Sequence, residues 1–127
     1  MESLIINVNW VAVVVGAVIA FILGWLWYSD KMFGKKWKAG IGVPVVVSKP
    51  MIRSIVAQAG ATFLLAWVIG VTATTNSFAL AILIGLTCAG LIKANGLFAG
   101  KTITAIAIET SYVIVMVAVM IVTHAVL

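Results

Sequence analysis

The sequence predicts an all-α fold: a polytopic membrane protein whose four transmembrane helices form an antiparallel bundle, with a short interfacial helix between helices one and two. Three observations predict it. Of 127 residues, 65% are hydrophobic and 9% are charged, against ~45–50% and ~25% in soluble domains. A soluble chain this short cannot hide so much apolar surface, because small folds leave much of their surface in water. The apolar residues also gather into four runs of roughly the 20 residues that a helix needs to cross ~30 Å of hydrocarbon. Finally, most of the basic residues fall between those runs rather than inside them.

The first helix is expected at about residues 8–29. No charge occurs from Ser3 to Ser29, and Val11 to Leu26 is almost wholly apolar. Trp10 stands near one end, and Trp25, Trp27 and Tyr28 cluster at the other, which is how interfacial aromatic belts are placed. Asn7 and Asn9 precede the run, where asparagine is a natural N-cap. The opening residues, MESLIINVNW, carry an acid and no basic leader. The first span is therefore expected to be retained rather than cleaved as a signal peptide. Ala12, Gly16, Ala20 and Gly24 recur at every fourth position, and Gly85 with Ala89 in helix three, and Ala57 with Ala61 in helix two, repeat the device. Such small-residue rows let membrane helices approach closely, so these positions are expected to face protein, either within one bundle or across a dimer.

Residues 30–50 form a basic loop. It holds five of the eight basic residues (Lys31, Lys35, Lys36, Lys38 and Lys49), both prolines (Pro44 and Pro50), and Gly34, Gly40 and Gly42. Met32, Phe33 and Trp37 alternate with the lysines as in a short helix lying in the interface, which Gly40, Gly42 and Pro44 would end. Lys31, Phe33, Lys35, Lys36, Trp37 and Lys38 are the candidate contacts to lipid headgroups. Val43 to Val47 is too short to span.

Helix two is expected at 51–71, opened by Pro50 where a first-turn proline is tolerated. Thr72 to Ser77 is an uncharged turn. Helix three, 78–97, carries Lys93, and the turn Gly96 to Gly100 is followed by Lys101. Helix four, 102–126, carries Glu109. The chain reads as a single domain, 1–127. Six lysines (Lys31, Lys35, Lys36, Lys38, Lys49 and Lys101) lie on one side of the four spans, while the other side offers only Glu2 and His124. The positive-inside rule then places both termini outside and the basic loop in the cytoplasm. Phe33-Gly34-Lys35 and Phe98-Ala99-Gly100-Lys101 echo one another, through either a duplicated helical hairpin or common usage at helix ends.

Lys93 and Glu109 are the sharpest polar feature. An ionisable group inside a span is costly and usually faces the bundle interior with a partner. Each lies about two helical turns from the turn between helices three and four, so an antiparallel hairpin brings them to similar depth. A structural ion pair, a proton- or cation-coupling role, a neutral Glu109 and pairing with another protein are all open. Asn95, Thr87, Thr110, Ser111 and Tyr112 are available to satisfy buried polar groups. His124 has no second histidine or adjacent acid, so an interfacial position is expected rather than metal ligation. Cys88 is alone, which excludes an intrachain disulfide. The sequence holds no Ser–His–Asp set, HExxH, P-loop or cysteine ligand pair. No enzymatic activity, cofactor or metal is expected, and the net charge of +5 lacks the fold context of nucleic-acid binding.

Asn9-Trp10, Phe21, Gly24, Trp27-Tyr28-Ser29, Phe33-Gly34-Lys35 and Trp37, then Leu97-Phe98, Gly100-Lys101 and Tyr112, resemble the DUF1761 family of small bacterial membrane proteins of unknown function. Asp30 stands where that family often has proline, and Glu109 is more acidic than the polar residue expected there. The resemblance implies four spans and no established activity, and the expected location is the bacterial cytoplasmic (inner) membrane. The expected function is that of a non-enzymatic bundle, a homo-oligomer or a subunit of a larger membrane complex. The alternatives are a small oligomeric transporter or channel using Glu109 and Lys93, and a lipid-interacting protein acting through the basic aromatic loop.

Overall fold

The computed structural model describes residues 2–29, 31–41 and 51–127. A short 3-10 turn, Glu2–Leu4, precedes five helices: α1 (Trp10–Trp27), α2 (Gly34–Ile41), α3 (Met51–Ala73), α4 (Phe78–Phe98) and α5 (Ile103–Val126). No strand occurs among the described residues. α1, α3, α4 and α5 are each long and apolar enough to cross a membrane, and α2 is the short helix between the first two spans. Asp30, Gly42, Val43 to Val47, Pro44, Lys49 and Pro50 lie outside the described residues.

The ends of the spans are set by local chemistry. Asn9 caps α1, its Oδ1 accepting from the Ala12 N–H at 3.1 Å, so the helix starts two residues later than its apolar run. Past Trp27 the chain turns sharply: the Phe33 N–H reaches the Trp27 carbonyl at 3.2 Å and the Gly34 N–H reaches the Ser29 carbonyl at 2.9 Å. A side chain at Gly34 would land on the Tyr28 carbonyl oxygen, so only glycine fits this reversal. α4 ends in a left-handed Gly100 (φ +76°), with the Lys101 N–H returning to the Gly96 carbonyl at 3.0 Å, a closure glycine makes readily. α5 then opens on Thr102, whose hydroxyl accepts from the Ala105 N–H at 3.2 Å.

α5 is the centre of the bundle. It buries Ala105, Ile106, Ile108, Tyr112, Val113, Met116, Val117, Met120 and Thr123, packing against α1 on one side and α4 on the other, with α2 across its first turns. α3 leans on α1 and meets α5 and α4 less extensively. The small-residue rows of α1 and α4 both serve α5. Gly16 stands opposite Met120 and Thr123, where an added Cβ would sit 3.6–3.7 Å from their atoms, and Gly85 stands opposite Val117 at 3.1 Å. Gly24 faces the Tyr112 ring, which occupies the space a side chain would need. Ala12 and Ala20 are buried, and Ala89 nearly so. These contacts are within one chain.

Helix α3 departs from expectation. Ala57 and Ala61 are exposed, and so is every residue from Ile52 to Ala61; burial begins only at Thr62, Ala66 and Ile69. The first half of this span therefore stays exposed, and its alanines form no buried internal seam.

Candidate functional site

The polar chemistry of the chain gathers at the α2 end of the bundle. α1 delivers Trp27 and Tyr28 at its last turn, the reversal delivers Phe33, and α2 delivers Trp37. The turn before α5 delivers Lys101, and the first half of α5 delivers Glu109 and Tyr112. Glu109 is the hub. Its Oε2 accepts from the Trp37 indole N–H at 2.8 Å and from Lys101 Nζ at 2.9 Å, while its Oε1 accepts from the same ammonium at 3.1 Å. Both oxygens are engaged, and the pair is only partly screened by solvent, with side chains 30% (Lys101) and 13% (Glu109) exposed.

Aromatic rings wall the hub. Tyr28 meets Trp37 edge-on at 4.9 Å and Tyr112 at 5.5 Å, and Trp27 lies 5.0 Å from Phe33. Edge-to-face arrangements of this kind use the ring quadrupole as well as buried area. The polar tips are satisfied as well: the Trp27 indole donates to the Ile108 carbonyl at 3.1 Å, and the Tyr112 hydroxyl donates to the Ala20 carbonyl at 2.7 Å. Burial pushes the Tyr28 phenol above its ordinary range, and the Glu109 carboxylate and Tyr112 push the same way. α2 is fastened by backbone too, since the Thr102 N–H donates to the Gly40 carbonyl at 3.0 Å. A side chain at Gly40 would land on the Thr102 hydroxyl and the Ala105 methyl. The arrangement is a clasp: an acid inside a span, satisfied by one cation and one indole, holding an amphipathic helix against α5.

The pairing expected between Lys93 and Glu109 is not formed. α4 turns Ala81, Gly85, Ala89 and Gly96 toward the interior and leaves Lys93 exposed. The lysine that reaches Glu109 is Lys101, eight residues before it, about two turns along the same side. Phe33 and Trp37, expected at lipid headgroups, are half-buried and turned into the clasp. Lys31, Lys35 and Lys36 are exposed, and Lys38 is half-buried. The Phe-Gly-Lys echo does not correspond to equivalent surroundings, because Phe33 packs on Trp27 while Phe98 is 94% exposed.

Away from the clasp, His124 is half-buried near the end of α5, beside Gly70. Its Nε2 is enclosed without a hydrogen-bond partner among the described residues, and no metal-holding group of acids, cysteines and histidines is found among them. Cys88 is a free thiol at the edge of the core. Beside the clasp, between α2 and α5, an open groove of about 370 Å³ is lined by Phe33, Lys36, Ile103, Thr104, Ala107, Ile108 and Ser111. Its opening lies at the surface of the bundle, next to exposed Lys36.

Fold and clasp together define a class: a four-span, all-helical membrane protein in which a short basic helix is latched onto the last span by a carboxylate–lysine–indole contact. The chain belongs to the DUF1761 family, described as a protein of unknown function, whose family model matches residues 11–125. Among curated proteins and among solved structures, no match was found.

Proposed function

We propose that the protein is a non-enzymatic membrane bundle that associates with other transmembrane chains, in the first place a second copy of itself, through the uncovered half of α3. The observation that supports this is the exposure of every residue from Ile52 to Ala61 in a helix apolar enough to span. That stretch contains Arg53, Ser54 and Gln58. The Gln58 amide donates once, to the Thr62 hydroxyl at 3.0 Å, and its remaining donor and acceptor capacity faces outward, about 10 Å along the helix. Polar groups facing hydrocarbon are costly, and a neighbouring helix bearing its own amide is the usual remedy. Ala57, Gly60 and Ala61 leave room for close approach. The basic loop favours the orientation with both termini outside, in a bacterial cytoplasmic membrane.

The test is the mass of the assembly in mild detergent or in nanodiscs. A defined oligomer is expected, and Ala57→Leu with Ala61→Leu should dissociate it while leaving helicity unchanged. A monomer under all of these conditions overturns the proposal. The transporter reading is less well supported, because both Glu109 oxygens are engaged and Lys93 stands apart; unchanged proton-coupled flux in Glu109→Gln proteoliposomes would dispose of it. The lipid reading has a specific observation in its favour. α2 turns its aromatic side inward and leaves Lys35 and Lys36, with Lys31 and Met32 just before it, exposed, the arrangement of a helix that meets anionic headgroups.

A further inference from the structure

The groove between α2 and α5 adds something that a basic surface alone does not: an open, mainly apolar groove with one lysine among its lining residues. Phe33, Ile103, Ala107 and Ser111 are among its lining residues, and Lys36 and Thr104 supply polar groups to it. Ser111 presents little outward polarity, because its hydroxyl donates back to the Ala107 carbonyl at 2.7 Å. Ala107 and Ser111 lie one turn apart on α5 and supply small side chains to the groove. We infer that this groove seats one anionic phospholipid, its phosphate against Lys36 and the Thr104 hydroxyl and one acyl chain along the Ile103–Ala107–Ser111 face of α5.

Charge decides the headgroup. Lys101 is held by Glu109, whereas Lys36 is exposed and lines the groove. The only carboxylate drawn into this corner among the described residues, Glu109, already carries its own cation. A phosphate with a net negative head therefore meets a net positive seat, while a zwitterionic head brings an ammonium that Lys36 repels. Loss of one lysine near an anionic lipid surface is worth about fivefold in binding. The inference rests on the lipid reading of α2 given above, and it is independent of docking through α3, which lies on a different part of the bundle.

The experiment is native mass spectrometry of the full chain in detergent, titrated with phosphatidylglycerol or phosphatidylcholine, for the wild type and for Lys36→Gln, Lys31→Gln and Ser111→Leu. One retained phosphatidylglycerol is expected, bound several-fold more tightly than phosphatidylcholine. Lys36→Gln should reduce that preference about fivefold, Ser111→Leu should abolish the retained lipid by filling the channel, and Lys31→Gln, which changes a lysine outside the groove, should leave both intact. Circular dichroism keeps the comparison to folded variants, and Ala107→Leu serves as a second channel-filling change if Ser111→Leu fails to fold. Equal retention of the two lipids overturns the inference. Equal losses from Lys31→Gln and Lys36→Gln also overturn it, while leaving the general lipid reading standing as diffuse surface attraction. No lipid effect from any lysine removes both. A rise in oligomeric mass blocked by Ser111→Leu assigns the groove to protein and likewise overturns the inference.

Discussion

Glu109→Gln is the most informative single change, because it keeps the shape of the clasp and removes its charge. The amide oxygen can still accept from the Trp37 indole, now at 2.8 Å from Glu109 Oε2, but the amide nitrogen is set against the Lys101 ammonium. Exposed ion pairs contribute about 0–1 kcal/mol, and breaking a fully buried pair by removing one partner costs about 3–5 kcal/mol. With side chains 30% and 13% exposed, this pair lies between those limits, and Lys101 is free to swing toward water. A loss of about 1–2 kcal/mol is expected. Glu109→Ala should cost more, since it also strands the indole N–H, a penalty of about 1–3 kcal/mol. The assay is reversible unfolding in mixed micelles, followed by far-UV circular dichroism, with Lys101→Met and the double variant completing a cycle. In Lys101→Met a carboxylate is left with the indole alone, so Lys101→Met with Glu109→Gln should be more stable than the sum of the single losses by at least ~0.5 kcal/mol. Additive losses, or a Glu109→Gln protein as stable as the wild type, would refute the claim that acid and lysine act as a unit.

Three further outcomes follow from the geometry. Gly24→Ala places a methyl on the Tyr112 hydroxyl oxygen and 2.7 Å from its Cζ, so about 1–3 kcal/mol of destabilisation is expected by thermal melting, partly relieved by adding Tyr112→Phe. Thr102→Ala removes the cap of α5 and should cost about 1 kcal/mol, with hydrogen exchange rising in the first turn of α5 and not in α4. The raised Tyr28 phenol predicts an alkaline effect: the stability it contributes is intact below pH 10.0, the ordinary value, and is lost as pH rises toward the higher folded-state value. Tyr28→Phe should flatten that part of the stability profile.

The spans were legible because lipid imposes a length and a composition, and α1, α4 and α5 begin and end within about two residues of their apolar runs. The clasp was only half legible. Glu109 declared itself as the single acid of its span, but choosing its cation required knowing which side of α4 faces inward, and the run Lys93-Ala94-Asn95-Gly96 carries no amphipathic pattern that says so. The better clue was spacing: Lys101 and Glu109 lie on one face of the chain that opens α5. Trp37 reads as an interfacial ring because it sits among lysines, and nothing in α2 alone reveals that its indole has an acceptor 72 positions away. The exposed half of α3 was illegible for a different reason. Ala57 and Ala61 have the spacing of a packing seam, and spacing does not tell whether the partner is in the same chain.

The residues that carry the family resemblance are scattered over the sequence and divide in space. Trp27, Tyr28, Phe33, Gly34, Trp37, Lys101 and Tyr112 touch or adjoin the clasp, while Asn9 and Trp10 stand at the other end of α1 and Phe98 is exposed, so the clasp part of the pattern specifies either where α2 sits or how the spans pack. The two alternatives predict different responses to Trp37→Phe. The smaller ring can still pack edge-on to Tyr28, 4.9 Å away in the native protein, but the hydrogen bond to Glu109 is gone, a net loss of about 1.5–3 kcal/mol for a bond to a charged group. α2 has eight residues, too few to persist unaided as a helix in water. If the pattern specifies docking, amides of Gly34–Ile41 should exchange faster in Trp37→Phe while those of α4 and α5 keep their protection. Loss of protection along the four spans together would mean that the clasp belongs to the core of the bundle, and that the family pattern records folding rather than the placement of α2.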